Sequence, residues 1–166
     1  IYVQINRNDI AAAFISDQAI LRRSKSLTGV LLKGIDTAAE MSVNDVSEYT
    51  RGAWKELGEN GVILGSELMA NQGISEGDEV ELLVAYSALD MEKTKLKVIG
   101  SFTSGRYDYD ANMAIVDINT AMRLLRVTDT ATGVEVKVSD EMAVNRLRDE
   151  LQSELDGIDQ ALAHLE

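Results

Sequence analysis

The sequence predicts an α+β (mixed α/β) fold, with partly antiparallel sheets joined by short helices. Apolar and charged residues alternate along 79–84 and again along 95–102, the two-residue period of a half-buried strand. Between such runs lie stretches whose apolar residues recur at helical spacing, so strands and helices intermix along the chain. The 166 residues, 45% apolar and 27% charged, suffice for one domain with a real core, arranged as one lobe or two.

Taken in order, Ile1-Tyr2-Val3-Gln4-Ile5 and about 12–22 read as strands, and Gly29 to Ile35 is an apolar run between glycines, as in a buried strand. A helix is expected over about 42–57. Ser42 and Asp45 approximate a capping box there, and Val43, Val46, Thr50, Ala53 and Leu57 recur near helical spacing. Gly58 would end that helix in the left-handed conformation. Gly61-Val62-Ile63-Leu64 is a short strand, and Ser66 caps a two-turn helix from Glu67 to Gln72 closed by Gly73. Gly77 then supplies the positive φ of a turn.

The strongest β signal follows. Val80, Leu82 and Val84 alternate with Glu79 and Glu81, and Leu96, Val98 and Phe102 alternate with Lys95 and Lys97. Antiparallel pairing sets the acidic face of one strand beside the basic face of the other, at roughly 0.2–1 kcal/mol per cross-strand pair. The connection, about Ser87 to Thr94, is short and polar. Ala114-Ile115-Val116 is a strand, Asn119 caps a helix from Thr120 to Arg126, and Gly133 to Val138 is a further alternating strand. Asp140 caps the last helix, whose stripe of Val144, Leu147, Leu151 and Leu155 ends at Gly157.

Composition narrows the function. Sixteen Lys and Arg against 28 Asp and Glu give a formal charge of −12, a surface that repels phosphate backbones and anionic headgroups. Nucleic-acid binding is therefore not expected. The absence of Cys removes disulfides, thiol nucleophiles and Cys-based zinc sites, and the single His, His164, stands at the far C-terminus. With no Pro, turns rest on the 12 Gly and on Asn, Asp and Ser. The longest apolar run, Ile10 to Ile15, is far short of the roughly 20 residues that span a bilayer. The abrupt opening on a strand without an initiator Met is the pattern of a piece excised from a longer protein.

Chemistry-bearing patterns are few. Asp108 and Asp110, two apart, would share a face on a strand, and paired carboxylates can serve a small metal-dependent hydrolase. No second His, Asp or Glu cluster supplies the remaining ligands, and a tight turn in which Asp bonds its own backbone explains the same residues. Gly100 to Gly105 is glycine-flanked and rich in hydroxyls, but lacks the Lys of a phosphate-binding loop. The expectation is a non-enzymatic domain with no catalytic residue, no cofactor and no metal.

Four strings carry a resemblance. Gly29-Val30-Leu31-Leu32-Lys33-Gly34-Ile35-Asp36 resembles a segment of the LolC and LolE permeases. So does Gly61 to Leu68 followed by Gly73 to Val80. Val98 to Gly105 with Tyr107, Tyr109 and Asp110 is similar to a third segment of that family, and Thr132 to Val138 to a fourth. The order is kept from about residue 29 to 151. The resemblance implies the periplasmic core domain shared by LolC/LolE-type lipoprotein-releasing permeases and MacB- or FtsX-like proteins of the inner membrane.

That domain comprises a Porter lobe built from both chain ends, here 1–22 and 127–166, and an inserted Sabre lobe, here about 23–126. It couples ATP-driven motion of membrane helices to release or handover of lipoprotein or other envelope cargo. Its partners are a second permease subunit and an ATPase subunit, reached through the full-length protein, and a periplasmic carrier. A MacB-like exporter domain would contact an adaptor protein instead. In LolC the strand pair carries a longer, proline-containing hook that engages the carrier, whereas Tyr86 to Thr94 is short and has no proline. Leu89 and Met91, with Ser87, are the candidate partner contacts at its tip.

Overall fold

The computed structural model describes residues 10–44, 49–52, 54–137, 148–149 and 152–153. The chain divides into two compact units, Ala11–Glu135 and Ile1–Ile10 with Val136–Glu166. The smaller unit falls largely outside the described residues, and with it the expected strand at 1–5 and most of the last helix; Arg148, Asp149, Gln152 and Ser153 are helical.

Eight strands and four helices are described: β1 (Ile10–Arg23), β2 (Ser26–Ile35), α1 (Thr37–Val43), β3 (Thr50–Gly52), β4 (Gly61–Gly65), α2 (Ser66–Gln72), β5 (Glu79–Ala85), β6 (Met91–Phe102), α3 (Tyr107–Asn112), β7 (Met113–Asp117), α4 (Ile118–Leu125) and β8 (Gly133–Lys137). The strand order is β2-β7-β4-β6-β5-β1-β8, with β3 joined to β6 and β1 also paired to β2. Six strands thus form a closed circuit of hydrogen bonds. The pairs β2–β7 and β4–β6 are parallel, and β1–β2, β5–β6, β4–β7, β1–β5 and β3–β6 are antiparallel. The predicted mixed class is borne out.

Period-two alternation divides the apolar residues between two cores. Val30 and Leu32 of β2, Val62 and Leu64 of β4, and Ala114 and Val116 of β7 join Leu82, Leu96, Leu68 and Leu124 in the larger one. Their neighbours Ile35, Ile63 and Ile115 turn the other way, against Trp54, Leu57 and Phe102. This explains why Gly61-Val62-Ile63-Leu64-Gly65 is apolar throughout: β4 has a neighbour on each edge and a core on each face. Burial of each such side chain stabilises by roughly 1.5–3 kcal/mol.

β5 and β6 form the expected antiparallel pair, in a register that sets Glu79 opposite Lys97 and Glu81 opposite Lys95. Its acidic face is not wholly outer, however. β5 also pairs with β1, so Glu81 is buried and meets Arg22 of that strand, while Lys95 reaches Glu79 at 3.1 Å.

The helix expected over 42–57 is not formed. Asp36, not Ser42, is the N-cap: its carboxylate accepts from the Ala38 and Ala39 amides at 2.9 and 3.1 Å, and the helix ends at Val43. Thr50–Gly52 is instead a strand on the edge of β6, past the point where β5 stops pairing, and Trp54–Glu56 is one 3-10 turn. Residues 45–48 and 53 lie outside the described residues. Gly58 is not left-handed; Gly52 carries the positive φ, 98°. Two caps also shift by one or two residues. Ser66 is the first residue of α2 rather than its cap, and α4 is capped by Asp117, which accepts from the Asn119 amide at 2.9 Å. Gly73 closes α2 in the left-handed conformation, φ 61°, as expected.

Candidate functional site

The three candidate contact residues come together at one end of the β5–β6 hairpin. The polar connection is shorter than expected, because β6 already begins at Met91, which pairs with Ala85. The turn is stitched by its own backbone and one hydroxyl. The amides of Tyr86 and Ser87 donate to the Asp90 carbonyl at 2.9 and 3.1 Å. Ser87 Oγ accepts from the Leu89 and Asp90 amides at 3.3 and 3.1 Å. Ser87 therefore shapes the turn, Leu89 stands 98% exposed at its tip, and Met91 and Tyr86 flank it, both partly exposed.

Sequence reasoning missed the residue that holds this tip. Arg126, at the C-cap of α4, grips Asp90 with both terminal nitrogens at 2.7 and 2.6 Å and donates from Nε to Glu92 at 3.0 Å. Its guanidinium lies 4.5 Å from the centre of the Tyr86 ring, and the Tyr86 hydroxyl donates to the Leu124 carbonyl at 2.7 Å. The hydrogen bond from Arg126 holds the Asp90 carboxyl below its usual range. Burial raises the Tyr86 phenol above its ordinary value, and the Arg126 charge offsets part of that rise. The bonded residues lie 34 to 38 positions apart in the chain, so no local period reveals them.

Asp108 and Asp110 lie neither on a strand face nor in a simple turn. Both are on α3, where a separation of two points them apart, Asp108 exposed and Asp110 buried. Asp110 Oδ1 accepts from the Ser104 amide and hydroxyl, each at 2.7 Å, and Oδ2 from the Gly105 amide at 3.1 Å. Both oxygens are thus engaged in closing the loop from β6 into α3. Among the described residues no group of three or more His, Cys, Asp or Glu is arranged to hold a metal ion.

A second polar cluster escaped the sequence reading. Lys33 donates to Glu135 at 2.6 Å and to Glu40 at 3.3 Å, and Asn44 bridges the same two carboxylates at 2.7 and 3.0 Å. Burial raises the Glu135 carboxyl, but the hydrogen bond and charge of Lys33, with the other hydrogen bonds, outweigh it and hold the group below its usual range.

The strings that carry the family resemblance have structural work here. Gly34 lies against Ala121 of α4, and Asp36 caps α1. Gly65 lets β4 pass against the Asp110 backbone. Asp78, in the turn after α2, binds Arg23 at 2.9 Å and the Ser75 amide at 3.0 Å. Ser104 and Gly105 bind Asp110, while Glu135 binds Lys33.

No protein-family model matches the chain. Among characterised proteins, it is 28% identical over 145 residues to the lipoprotein-releasing system transmembrane protein LolC of Neisseria meningitidis serogroup B, covering 81% of this chain and 35% of that protein. It is 25% identical over 143 residues to LolE of Haemophilus influenzae, covering 81% and 34% respectively. The chain thus spans about a third of the length of these relatives. Among solved structures, the periplasmic region of MacB from Actinobacillus actinomycetemcomitans matches with a TM-score of 0.58 at 15% identity, over 92% of this chain and 70% of that one. The extracellular domain of the noncanonic ABC-type transporter YknZ from Gram-positive bacteria matches with a TM-score of 0.56 at 16% identity, over 82% and 68%. The resemblance to LolC/LolE-type permeases is borne out, and the fold is that of the MacB periplasmic region and its YknZ counterpart.

Proposed function

We propose that the chain is the extracytoplasmic domain of an inner-membrane ABC-transporter permease, serving release or handover of lipoprotein or another envelope cargo. The observation that carries this reading is the sequence similarity to LolC and LolE over about four fifths of the chain. Such a domain performs no catalysis. It transmits motion of the membrane helices, driven by an ATPase subunit, to whatever the domain holds outside the membrane. The second permease subunit and the ATPase act through the full-length protein. The segments 1–22 and 127–166 serve as the Porter-like lobe, and about 23–126 as the Sabre-like lobe.

The partner contact in this reading is the hairpin tip, with Leu89 as the apolar anchor, Met91 beside it and Ser87 fixing the turn. An almost fully exposed leucine on a stitched turn loses little conformational freedom when it enters an apolar pocket. The test has two parts. The full-length gene product must carry apolar spans of about 20 residues flanking this segment, and their absence sinks the permease reading. The chain should then capture the purified periplasmic lipoprotein carrier, with capture falling at least tenfold in Leu89→Asp. Capture of a periplasmic adaptor instead would make the protein MacB-like. A stable metal complex in calorimetry, lost in Asp110→Ala, would instead favour the hydrolase.

A further inference from the structure

We infer that Arg126 is a positioning residue: it clamps the β5–β6 hairpin to the end of α4 and so fixes the direction in which Leu89 points. The inference rests on the reading of the hairpin tip as a contact site, and it is argued from the backbone as well as the side chain. α2 and α4 both end on a left-handed residue, but α2 ends on Gly73 (φ 61°) and α4 on Arg126 (φ 52°). Glycine adopts this conformation freely, whereas a side-chain-bearing residue is strained there. Arginine at such a position is unfavourable locally, and its side chain makes contacts that glycine cannot.

Those contacts connect two elements distant in sequence. The β5–β6 ladder reaches the Ala85–Met91 pair and the turn's own hydrogen bonds shape the segment from Tyr86 to Asp90, but none of these ties the tip to α4. Arg126 adds a two-pronged grip on Asp90, a bond to Glu92 and a stack on Tyr86, while the Tyr86 hydroxyl ties the same ring to the α4 carbonyl of Leu124. The planar fork and the stack are properties of guanidinium that an ammonium cannot reproduce. The left-handed turn at 126 carries the chain out of α4 with the side chain directed at the hairpin. Leu89, two residues from Met91 and one from the gripped Asp90, is thereby aimed by α4.

The experiment uses the whole chain. Backbone amide order at Leu89 and Asp90 is measured by nitrogen relaxation in the unaltered protein, in Arg126→Gly and in Arg126→Lys, beside thermal melting and carrier capture. The unaltered tip should show order near that of rigid backbone, about 0.85, and Arg126→Gly should drop it below about 0.6. Melting should change little in Arg126→Gly, because relief of the positive φ offsets the loss of the partly exposed ion pairs with Asp90 and Glu92. A residue serving only stability would lower the melting point without selectively loosening the tip. Arg126→Lys, which retains the charge and keeps the backbone conformation, should loosen the tip as well.

Capture should weaken at least threefold in Arg126→Gly with Leu89 intact. Unchanged tip order in both variants overturns the clamp, whatever happens to capture. Loss of tip order with undiminished capture overturns the positioning role. If Leu89→Asp leaves capture intact while Arg126→Gly loosens the tip, it is the contact reading that fails, so the two failures are told apart.

Discussion

Gly65→Ala isolates the close approach on which the β4–α3 junction depends. Gly65 has φ −59° and ψ 140°, a conformation open to alanine, so the substitution brings no torsional strain. In open space it would stabilise by about 0.4–1 kcal/mol through the unfolded chain. Here the added Cβ would lie 2.6 Å from the Asp110 carbonyl carbon and 2.9 Å from its Cα, and would press still closer on the carbonyl oxygen. These are backbone atoms that no rotamer change can remove, so α3 must shift as a body. Overpacking of that kind costs about 1–3 kcal/mol. The shift also loosens the hydrogen bonds that Asp110 accepts from Ser104 and Gly105, each worth about 1.5–3 kcal/mol when the acceptor is charged. Partial loss of these outweighs the unfolded-state gain, for a net destabilisation of about 2 kcal/mol. At this chain length that lowers the melting point by about 4–8 °C.

Urea unfolding followed by the fluorescence of the single tryptophan, Trp54, measures the change directly, since Trp54 is buried in the smaller core. Gly29→Ala is the control: the same chemistry on β2, with nothing within 4 Å of the added atom, should hold or raise stability. Equal stability of Gly65→Ala and the unaltered chain, or shifts of the two variants in the same direction, would refute the packing argument.

Asp110→Asn keeps the shape of the side chain but leaves one acceptor oxygen where two carboxylate oxygens accept three bonds, so urea unfolding should show a loss of about 1–3 kcal/mol. Phe102→Ala opens the smaller core beside Trp54 and should cost about 3–5 kcal/mol, with altered Trp54 fluorescence before unfolding. Glu135 is held below the ordinary glutamate range, so its stabilisation is complete above the unfolded-chain value and is lost as pH falls through the lowered folded value. Chemical unfolding of Glu135→Gln against the unaltered chain should therefore show the largest gap near neutrality and a narrowing gap in the acid limb. A gap of constant size across that range would contradict the assignment.

The features that were legible in the sequence are those fixed within a few residues. Glu79 to Val84 and Lys95 to Phe102 alternate because a strand's side chains alternate, and their charges give the pairing. Gly73 and Gly77 mark turns because glycine adopts their positive φ freely, whereas most other residue types are strained there. The ordered strings of Gly, Asp and apolar residues sufficed for the resemblance to LolC/LolE permeases.

What the tertiary structure decided is whatever depends on a partner distant in the chain. Residues 42–57 have a helical period, yet Thr50–Gly52 is a strand because β6 runs five residues beyond its last pairing with β5 and leaves an edge to be filled. In sequence Asp110 admits two readings, half of a carboxylate pair or a carboxylate that bonds nearby backbone, and the fold shows it spending both oxygens on Ser104 and Gly105. Arg126 has no distinguishing pattern around it, and only the closing of the sheet brings the end of α4 beside the hairpin it grips. Local periodicity records which face of an element is buried; which element covers it is set by loop closure and packing over the whole chain.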